Sequence, residues 1–220
     1  MSRKFRKSPP QGGRHLRDGP RQPIAFYFDF ISPYAYLGSV GIERIAARHG
    51  REVDWRPMLL GISMFKVMGL KAVPDTPLKG TYAAHDWPRF ARYLGIPHAP
   101  EARTQFAPLP AARAFTWQKE RDAPLAKQLA QAVFRAHWGE GRDMSMPEVV
   151  AAEAAALGID RAAILAGIED ETTKLRLRAH VDASLAKGVF GAPTFIVDGE
   201  MFWGADRLDQ VDRWLATGGW

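Results

Sequence analysis

Ser32 is the residue of this sequence best placed for chemistry on a small anionic group. The apolar run over 24–30, interrupted only by Asp29, is typical of a strand buried in a sheet. Ser32-Pro33 follows, a hydroxyl residue suited to a helix N-cap and a proline suited to the first helical turn. Free backbone N–H groups and the helix dipole favour an anion at such a position. A role as a helix cap alone is the alternative reading of Ser32.

The sequence contains no cysteine, so the chain has no disulfide, no thiolate nucleophile and no Cys-ligated metal. Any thiol chemistry must therefore use a thiol from outside. The six histidines show no HxH or HxxxH spacing, which predicts no metal site. GxxxxGK[ST] and GxGxxG are both missing, which argues against a nucleotide-phosphate loop, and Ser32 lacks the G-x-S-x-G context of a hydrolase nucleophile.

The net charge of +6 is confined to the first 22 residues. They hold seven of the 30 Lys/Arg and one of the 24 Asp/Glu, while the other 198 residues hold 23 of each. We expect a disordered, solvated basic tail on a formally neutral body, and no nucleic-acid partner. A targeting peptide is a further possibility for the tail. No apolar run reaches 18 residues and no apolar segment follows the basic terminus, which predicts a cytoplasmic protein without a membrane span or secretory signal.

The order of elements follows from apolar periodicity and from proline and glycine breaks. The first strand over 24–30 is followed by a helix over 34–49 and a strand over 52–56. Asp198-Gly199 predicts a tight hairpin between strands Thr194–Val197 and Glu200–Trp203, and a final helix opens at Ala205 or Asp206. Helices are predicted between the two strand pairs, over 62–68, 79–94, 111–119, 124–138, 147–157, 161–168 and 171–187.

This order predicts an α/β thioredoxin-like fold, β-α-β then β-β-α, with a large all-helical insertion. The thioredoxin-like part is expected over 23–57 and 188–220, the insertion over 58–187, and the tail over 1–22. In this architecture a proline before the hairpin faces the N-terminus of the first helix. Pro193 is the candidate, and its peptide bond to Ala192 is predicted to be cis, a form essentially confined to X–Pro bonds.

Four stretches carry a resemblance to a known family. They are FYFDFISPYAYLG at 26–38, PLKGTYAAHDWPRFARYLGIP at 77–97, HWGEG at 137–141 and VFGAPTFIVDGEMFWGADRL at 189–208. Over about 24–215 the chain resembles the 2-hydroxychromene-2-carboxylate isomerases and kappa-class glutathione transferases, relatives of the disulfide oxidase DsbA. The resemblance implies a DsbA-like fold.

The resemblance implies a glutathione site with Ser32 as its catalytic residue. DsbA-like oxidases begin the first helix with Cys-x-x-Cys, whereas this chain has Ser32 to Ala35, which excludes disulfide exchange. In the isomerase and transferase branch the serine holds the sulfur of bound glutathione. The resemblance further assigns Ala192 and Pro193 to the cysteinyl part and places the γ-glutamyl end on a four-residue stretch, Gly204, Ala205, Asp206 and Arg207. A helix N-cap is the alternative for Asp206.

The resemblance places the second substrate and the glycine end of glutathione near Lys66, Asp75 and Thr76. The family often has an asparagine where Asp75 stands, so this chain departs from the pattern there. Lys66 and Lys79 are open to a reading as surface lysines. Tyr82, Asp86 and Arg89 share one helical face, which we expect to be packed or solvated, and His85 and His137 are expected to be core or surface histidines.

The leading hypothesis is a glutathione-dependent cis-trans isomerase of aromatic degradation, acting on a small aromatic carboxylate such as 2-hydroxychromene-2-carboxylate. Thiolate addition, rotation and elimination would need an anion-tolerant pocket, to which Lys66 would contribute. Aromatic walls are also needed, for which the candidates are Phe30, Tyr34, Trp87 and Trp203. A kappa-like transferase or peroxidase of broader range and a non-catalytic thioredoxin-fold binding protein are the alternatives. A homodimer is left open.

Overall fold

The computed structural model describes residues 22–99, 101–102 and 106–220, so the predicted disordered tail lies outside the described residues except for Gln22. Its sheet has the strand order β2-β1-β3-β4. The strands are β1 (Ile24–Phe28), β2 (Val53–Pro57), β3 (Thr194–Val197) and β4 (Glu200–Trp203). β1 is parallel to β2 and antiparallel to β3, and β3 is antiparallel to β4. The order of the strands along the chain and the hairpin of β3 and β4 are as predicted.

The described part of the chain contains eight α-helices, close to those predicted. They are α1 (Pro33–Arg48), α2 (Lys79–Leu94), α3 (Leu109–Lys119), α4 (Ala123–Phe134), α5 (Pro147–Ala156), α6 (Arg161–Glu169), α7 (Glu171–Ala186) and α8 (Leu208–Thr217). Gly61–Val67 and Arg135–Gly139 are π-helical, and Val73–Asp75 and Ala205–Arg207 are short 3₁₀ turns. The predicted helix over 62–68 is thus a π segment, and the one predicted over 124–138 divides into α4 and a π segment.

The first two strands differ from prediction at their ends. β1 ends at Phe28, two residues early, because the Asp29 side chain turns to bond backbone N–H groups outside the sheet. β2 begins and ends one residue later than the predicted 52–56, and its last residue is Pro57. Proline is tolerated at the end of an edge strand, and the next N–H, of Met58, continues the ladder to the Phe28 carbonyl at 2.8 Å.

The main core lies between one face of the sheet and the helices. Phe28 packs edge-on against Trp55, Phe115 and Phe134, with ring centroids 5.1–5.8 Å apart. On α1, a Cβ at Gly38 would lie 3.2 Å from atoms of Pro193 and Phe195. Glycine therefore lets α1 lie directly against the loop before β3, which brings the N-terminal half of the chain to its C-terminal half.

The division into a thioredoxin-like part and a helical insertion stays a prediction, although every described regular element between β2 and β3 is helical. Within the described ranges, no helix is both long enough and apolar enough to cross a bilayer.

Candidate functional site

Ser32 is the N-cap of α1, as predicted, with Pro33 at the first helical position. Its Oγ accepts a hydrogen bond from the Ala35 N–H at 3.1 Å and donates one to the Ala192 carbonyl at 2.9 Å. The side chain is buried, since only 5% of the residue is exposed. The hydroxyl therefore joins the start of α1 to a loop 160 residues later.

The Ala192–Pro193 bond is cis, which confirms the prediction. The Pro193 carbonyl accepts a hydrogen bond of 2.9 Å from the Gly204 N–H. A continuous bonded path thus runs from Ser32 through Ala192 and Pro193 to Gly204. These four residues, singled out from separate stretches of sequence, lie together in the structure.

The predicted γ-glutamyl stretch forms a turn between β4 and α8. Gly204 has φ of 115°, in the region that favours glycine, and a Cβ there would overlap Oδ1 of Asp206. Ala205 is buried, whereas Asp206 and Arg207 are exposed and form an ion pair of 3.4 Å. The alternative reading of Asp206 as a helix N-cap is wrong, because Gly204 caps the 3₁₀ turn and Arg207 caps α8.

Lys66, Asp75 and Thr76 lie on the segment between β2 and α2. Lys66 is exposed in the first π segment, and Asp75 is exposed at the end of the 3₁₀ turn. The Thr76 hydroxyl donates to the Ala72 carbonyl at 3.0 Å, within the same segment. All three therefore belong to the segment that joins β2 to α2, whereas the bonded path of Ser32 runs through other parts of the chain.

Asp29 is a site residue that the sequence analysis missed. It lies three positions before Ser32 and is buried, with Oδ1 accepting from the Ile31 N–H at 3.2 Å and Oδ2 from the Leu60 N–H at 2.7 Å. Burial raises the pKa of this carboxyl from 3.8 to about 6, although these backbone hydrogen bonds lower it. The available signal was a carboxylate inside an apolar strand, which is costly unless it has partners.

Trp138 is a second residue whose contact with the site was missed. It is fully buried, and its indole N–H donates at 2.9 Å to the carbonyl of Phe30. Trp138 lies in the π segment Arg135–Gly139, and π segments often occur at functional sites. The HWGEG stretch contained this residue, but no sequence signal showed where its indole would reach.

A polar network joins the first turn of α1 to α2. The Tyr34 hydroxyl donates to Asp86 Oδ2 at 2.7 Å, and the Tyr82 hydroxyl donates to Oδ1 at 3.1 Å, where Arg89 also binds. Burial and the bond to Asp86 raise the Tyr34 pKa. Burial alone would raise the Asp86 pKa, but the hydrogen bonds from Tyr34, Arg89 and Tyr82 outweigh it and lower that pKa. The face predicted to be merely packed or solvated therefore contacts Tyr34.

The aromatic candidates separate by burial. Phe30 and Trp87 are 1% and 3% exposed and belong to the core, so they form no open wall of a site. Tyr34 is half-buried, and Trp203 is 54% exposed beside Phe190, with ring centroids 4.9 Å apart.

The two histidines of the matched motifs differ in burial. His137 is buried with Nδ1 2.8 Å from the Arg142 carbonyl, and His85 is exposed. Among the described residues no acidic or histidine cluster could hold a metal ion.

Comparison with known proteins supports the resemblance found in the motifs. The DSBA-like thioredoxin domain family matches residues 23–216. A 2-hydroxychromene-2-carboxylate isomerase of Sphingobium xenophagum is 28% identical over 195 residues, covering 87% of this chain and 97% of the relative. A kappa 2 glutathione transferase of Caenorhabditis elegans is 27% identical over 208 residues, 89% and 92% of the two chains. A solved 2-hydroxychromene-2-carboxylate isomerase superposes with a TM-score of 0.77 at 26% identity, covering 89% and 95%. The predicted DsbA-like fold is confirmed.

Proposed function

The chain belongs to the DSBA-like thioredoxin domain family, and from this premise we propose that it is a glutathione-dependent isomerase of 2-hydroxychromene-2-carboxylate-like compounds. The relatives with matching names support this reaction class. The observation that carries the proposal is the Ser32 hydroxyl at the N-terminus of α1, bonded to the Ala192 carbonyl, in a chain without cysteine.

The hydrogen bonds of Ser32 suit it to exchange one partner for a thiolate. Its oxygen already accepts from Ala35, and its one proton is donated to the Ala192 carbonyl. An extended tripeptide beside the cis bond would offer its cysteinyl N–H to that carbonyl, in the manner of an added strand. The Ser32 proton then becomes free for the sulfur. A thiol of pKa about 8.5 is only a few per cent ionised at neutral pH. A hydrogen bond from the Ser32 hydroxyl and the helix N-terminus both stabilise the thiolate, so they raise the fraction of glutathione that is ionised.

The reaction needs no oxidant, since the thiol is regenerated. When bound, glutathione would supply a thiolate that adds reversibly to the conjugated carbon of the ring-opened substrate, whose ketone oxygen takes up the π electrons. The former double bond could then rotate before the thiolate leaves again and the trans alkene is restored. Ser32 would hold the sulfur as the anion before the addition and after the elimination.

The other proposed residues would bind the rest of the two molecules. Asp206 is exposed and acidic beside Gly204, which suits the ammonium group of a γ-glutamyl end. Lys66 is exposed on the π segment, which suits a substrate carboxylate. Asp75 and Thr76 follow on the same segment between β2 and α2.

The test compares Ser32→Ala with Ser39→Ala. Ser39 is a matched control because it is also a buried serine of α1, with its hydroxyl bonded to the Tyr36 carbonyl at 2.7 Å. We expect Ser32→Ala to lower kcat/KM for the chromene carboxylate by about a hundredfold, as for loss of a donor to a reacting anion, with a smaller loss of glutathione affinity. Wild-type turnover in Ser32→Ala, or no glutathione binding by calorimetry, would overturn the proposal.

A kappa-like glutathione transferase is the second candidate, favoured by an open apolar segment. From the first π segment to the first turn of α2, several large apolar side chains are at least 41% exposed, namely Phe65, Val67, Met68, Leu70, Val73, Leu78 and Tyr82. An open apolar surface suits varied electrophiles better than one fixed substrate. Conjugation of 1-chloro-2,4-dinitrobenzene at a rate above that of isomerisation would favour this activity. If the protein binds glutathione but catalyses neither isomerisation nor conjugation, it is a non-catalytic binding protein.

A further inference from the structure

Besides the Ser32–Ala192 hydrogen bond, the loop that carries Ser32 is held from outside at two further places. Residues 29–32 join β1 to α1 and form their own turn, in which the Ser32 N–H donates to the Asp29 carbonyl at 3.1 Å. The other two contacts come from the segment after β2 and from the second π segment. A turn of four residues has few interactions of its own, so these outside contacts hold the backbone from which the Ser32 side chain projects.

The first outside contact is made by the Asp29 carboxylate. One oxygen binds the Ile31 N–H inside the turn, and the other binds the Leu60 N–H immediately before the π segment Gly61–Val67. Asp29 is 2% exposed, so water does not substitute for these partners. The carboxylate therefore connects the serine turn to the segment that carries Lys66.

The second outside contact is made by the Trp138 indole. Its N–H donates to the Phe30 carbonyl at 2.9 Å, and the ring packs against Trp87 with centroids 5.3 Å apart. The π-helical winding of Arg135–Gly139 shifts the residues that follow α4 relative to a continued α-helix. This shift sets the direction of the Trp138 side chain toward the turn.

We propose that Asp29 and Trp138 are positioning residues that clamp the turn 29–32, and thereby fix the Ser32 hydroxyl relative to α1 and the Lys66 segment. This inference rests on the proposed function for its catalytic consequence. Its structural consequence is independent of that function. Loss of either side chain frees the turn while leaving β1 and α1 folded.

Two variants remove the hydrogen bonds of the clamp, and the loss of volume in the second is matched by its control. Asp29→Asn has one acceptor oxygen in place of two, so it cannot bind both N–H groups. Trp138→Phe keeps a buried aromatic ring and loses the indole donor. The controls are Asp212→Asn, which loses contacts with Arg48 and His49 at the far end of α1, and Trp55→Phe, which loses an indole bond of 2.6 Å to Glu43.

Amide hydrogen exchange in the ligand-free protein is the first measurement. We expect exchange of the Ile31 amide to rise at least about tenfold in both variants, and that of Leu60 in Asp29→Asn, with α7 and β3 unchanged. The two controls should leave the Ile31 and Leu60 amides as in wild type. Unchanged exchange at these amides, or an increase spread over the whole sheet, would overturn the clamp.

Turnover with glutathione is the second measurement. Trp138→Phe changes no charge, so we expect kcat to fall about tenfold with the KM for glutathione changed less than threefold. Equal effects of Trp138→Phe and Trp55→Phe on kcat would overturn the catalytic consequence. If wild type binds no glutathione, the proposed function fails, and the exchange data alone decide whether the clamp exists.

Discussion

At the residue scale, Asp29 combines a structural benefit with an energetic cost. Its oxygens satisfy two backbone N–H groups, yet its burial disfavours the charged form and raises its pKa from 3.8 to about 6. The folded protein therefore binds a proton more tightly at Asp29 than the unfolded chain does. This contribution to stability is fully present below pH 3.8 and is lost as pH rises through 6, and it amounts to roughly 3 kcal/mol.

The pH dependence of stability checks this directly. We expect the free energy of unfolding of Asp29→Asn, minus that of wild type, to increase by about 2–3 kcal/mol between pH 4 and pH 7. The variant thus gains stability relative to wild type as pH rises. Denaturant unfolding at a series of pH values measures it. Asp212 is a suitable control, because the hydrogen bond from His49 lowers its pKa and gives the opposite trend. A flat difference between Asp29→Asn and wild type would contradict the assignment.

At the element scale, the 3₁₀ turn Val73–Asp75 is in close backbone contact with α2. Gly80 is buried, and a Cβ there would overlap the Pro74 carbonyl oxygen and lie 2.9 Å from its carbon. Helix propensity alone predicts that Gly80→Ala stabilises α2 by about 1 kcal/mol. The structure predicts the opposite sign, a loss of about 1–3 kcal/mol in the free energy of unfolding, because the Pro74 backbone must move to make room for the new methyl group.

Thermal and denaturant unfolding of Gly80→Ala decide between the two signs. Ala84→Gly, an exposed position of α2, is the control and should lower stability by about 1 kcal/mol. Only Gly80→Ala should also displace Asp75 and Thr76, so only that variant should raise the KM for the carboxylate substrate. A more stable Gly80→Ala would show that the turn and α2 are not in close contact.

A second contact between elements is the Tyr34–Asp86 hydrogen bond between α1 and α2. Because Asp86 also binds Tyr82 and Arg89, single substitutions disturb several bonds, and a double-mutant cycle of Tyr34→Phe with Asp86→Asn isolates the pair. We expect a coupling energy of about 1 kcal/mol from chemical unfolding, since the bond is charge-assisted but half-exposed. Tyr82→Phe with Asp86→Asn is the comparison on α2 alone. A coupling near zero for the first pair would mean that Tyr34 does not hold the helices together.

The elements that local sequence determines were predicted well. β3 and β4 have the predicted bounds because Asp198-Gly199 forms the turn, with φ of 52° and 93°. Ser32-Pro33 likewise sets the start of α1. The two π segments, of seven and five residues, were predicted as helix but not as π-helix, because the apolar pattern of so short a segment does not distinguish π from α winding.

At the scale of the whole molecule, the sequence identified four residues that the structure connects, but not the residues that contact them from outside. Ser32, Ala192, Pro193 and Gly204 were found from motifs, and the structure connects them by hydrogen bonds. Asp29 was not predicted as a site residue, because the hydrophobic pattern of a strand gives no role to a single polar residue within it. Its role depends on Leu60, and a contact between residues so far apart is visible only in three dimensions.

The excess positive charge of the chain is confined to its N-terminal tail. Residues 1–21 hold seven Lys/Arg and one acid, while the rest of the chain is formally neutral. Gln22 belongs to the body, because its carbonyl accepts a 2.8 Å bond from Arg51, which also pairs with Asp198 at 2.8 Å. Removal of residues 1–21 should therefore leave Tm and glutathione affinity unchanged.

The same truncation should abolish salt-dependent retention on heparin, because polyanion binding follows the number of cations that contact phosphate or sulfate groups. Arg51→Gln in the full chain is the converse variant. It should lower Tm, since it leaves the Gln22 carbonyl and Asp198 without their shared donor, and it should leave heparin retention nearly unchanged. Thermal melts and elution in a salt gradient measure both quantities. A lower Tm after removal of residues 1–21 would show that the tail stabilises the body, and unchanged retention would show that the body itself binds polyanions.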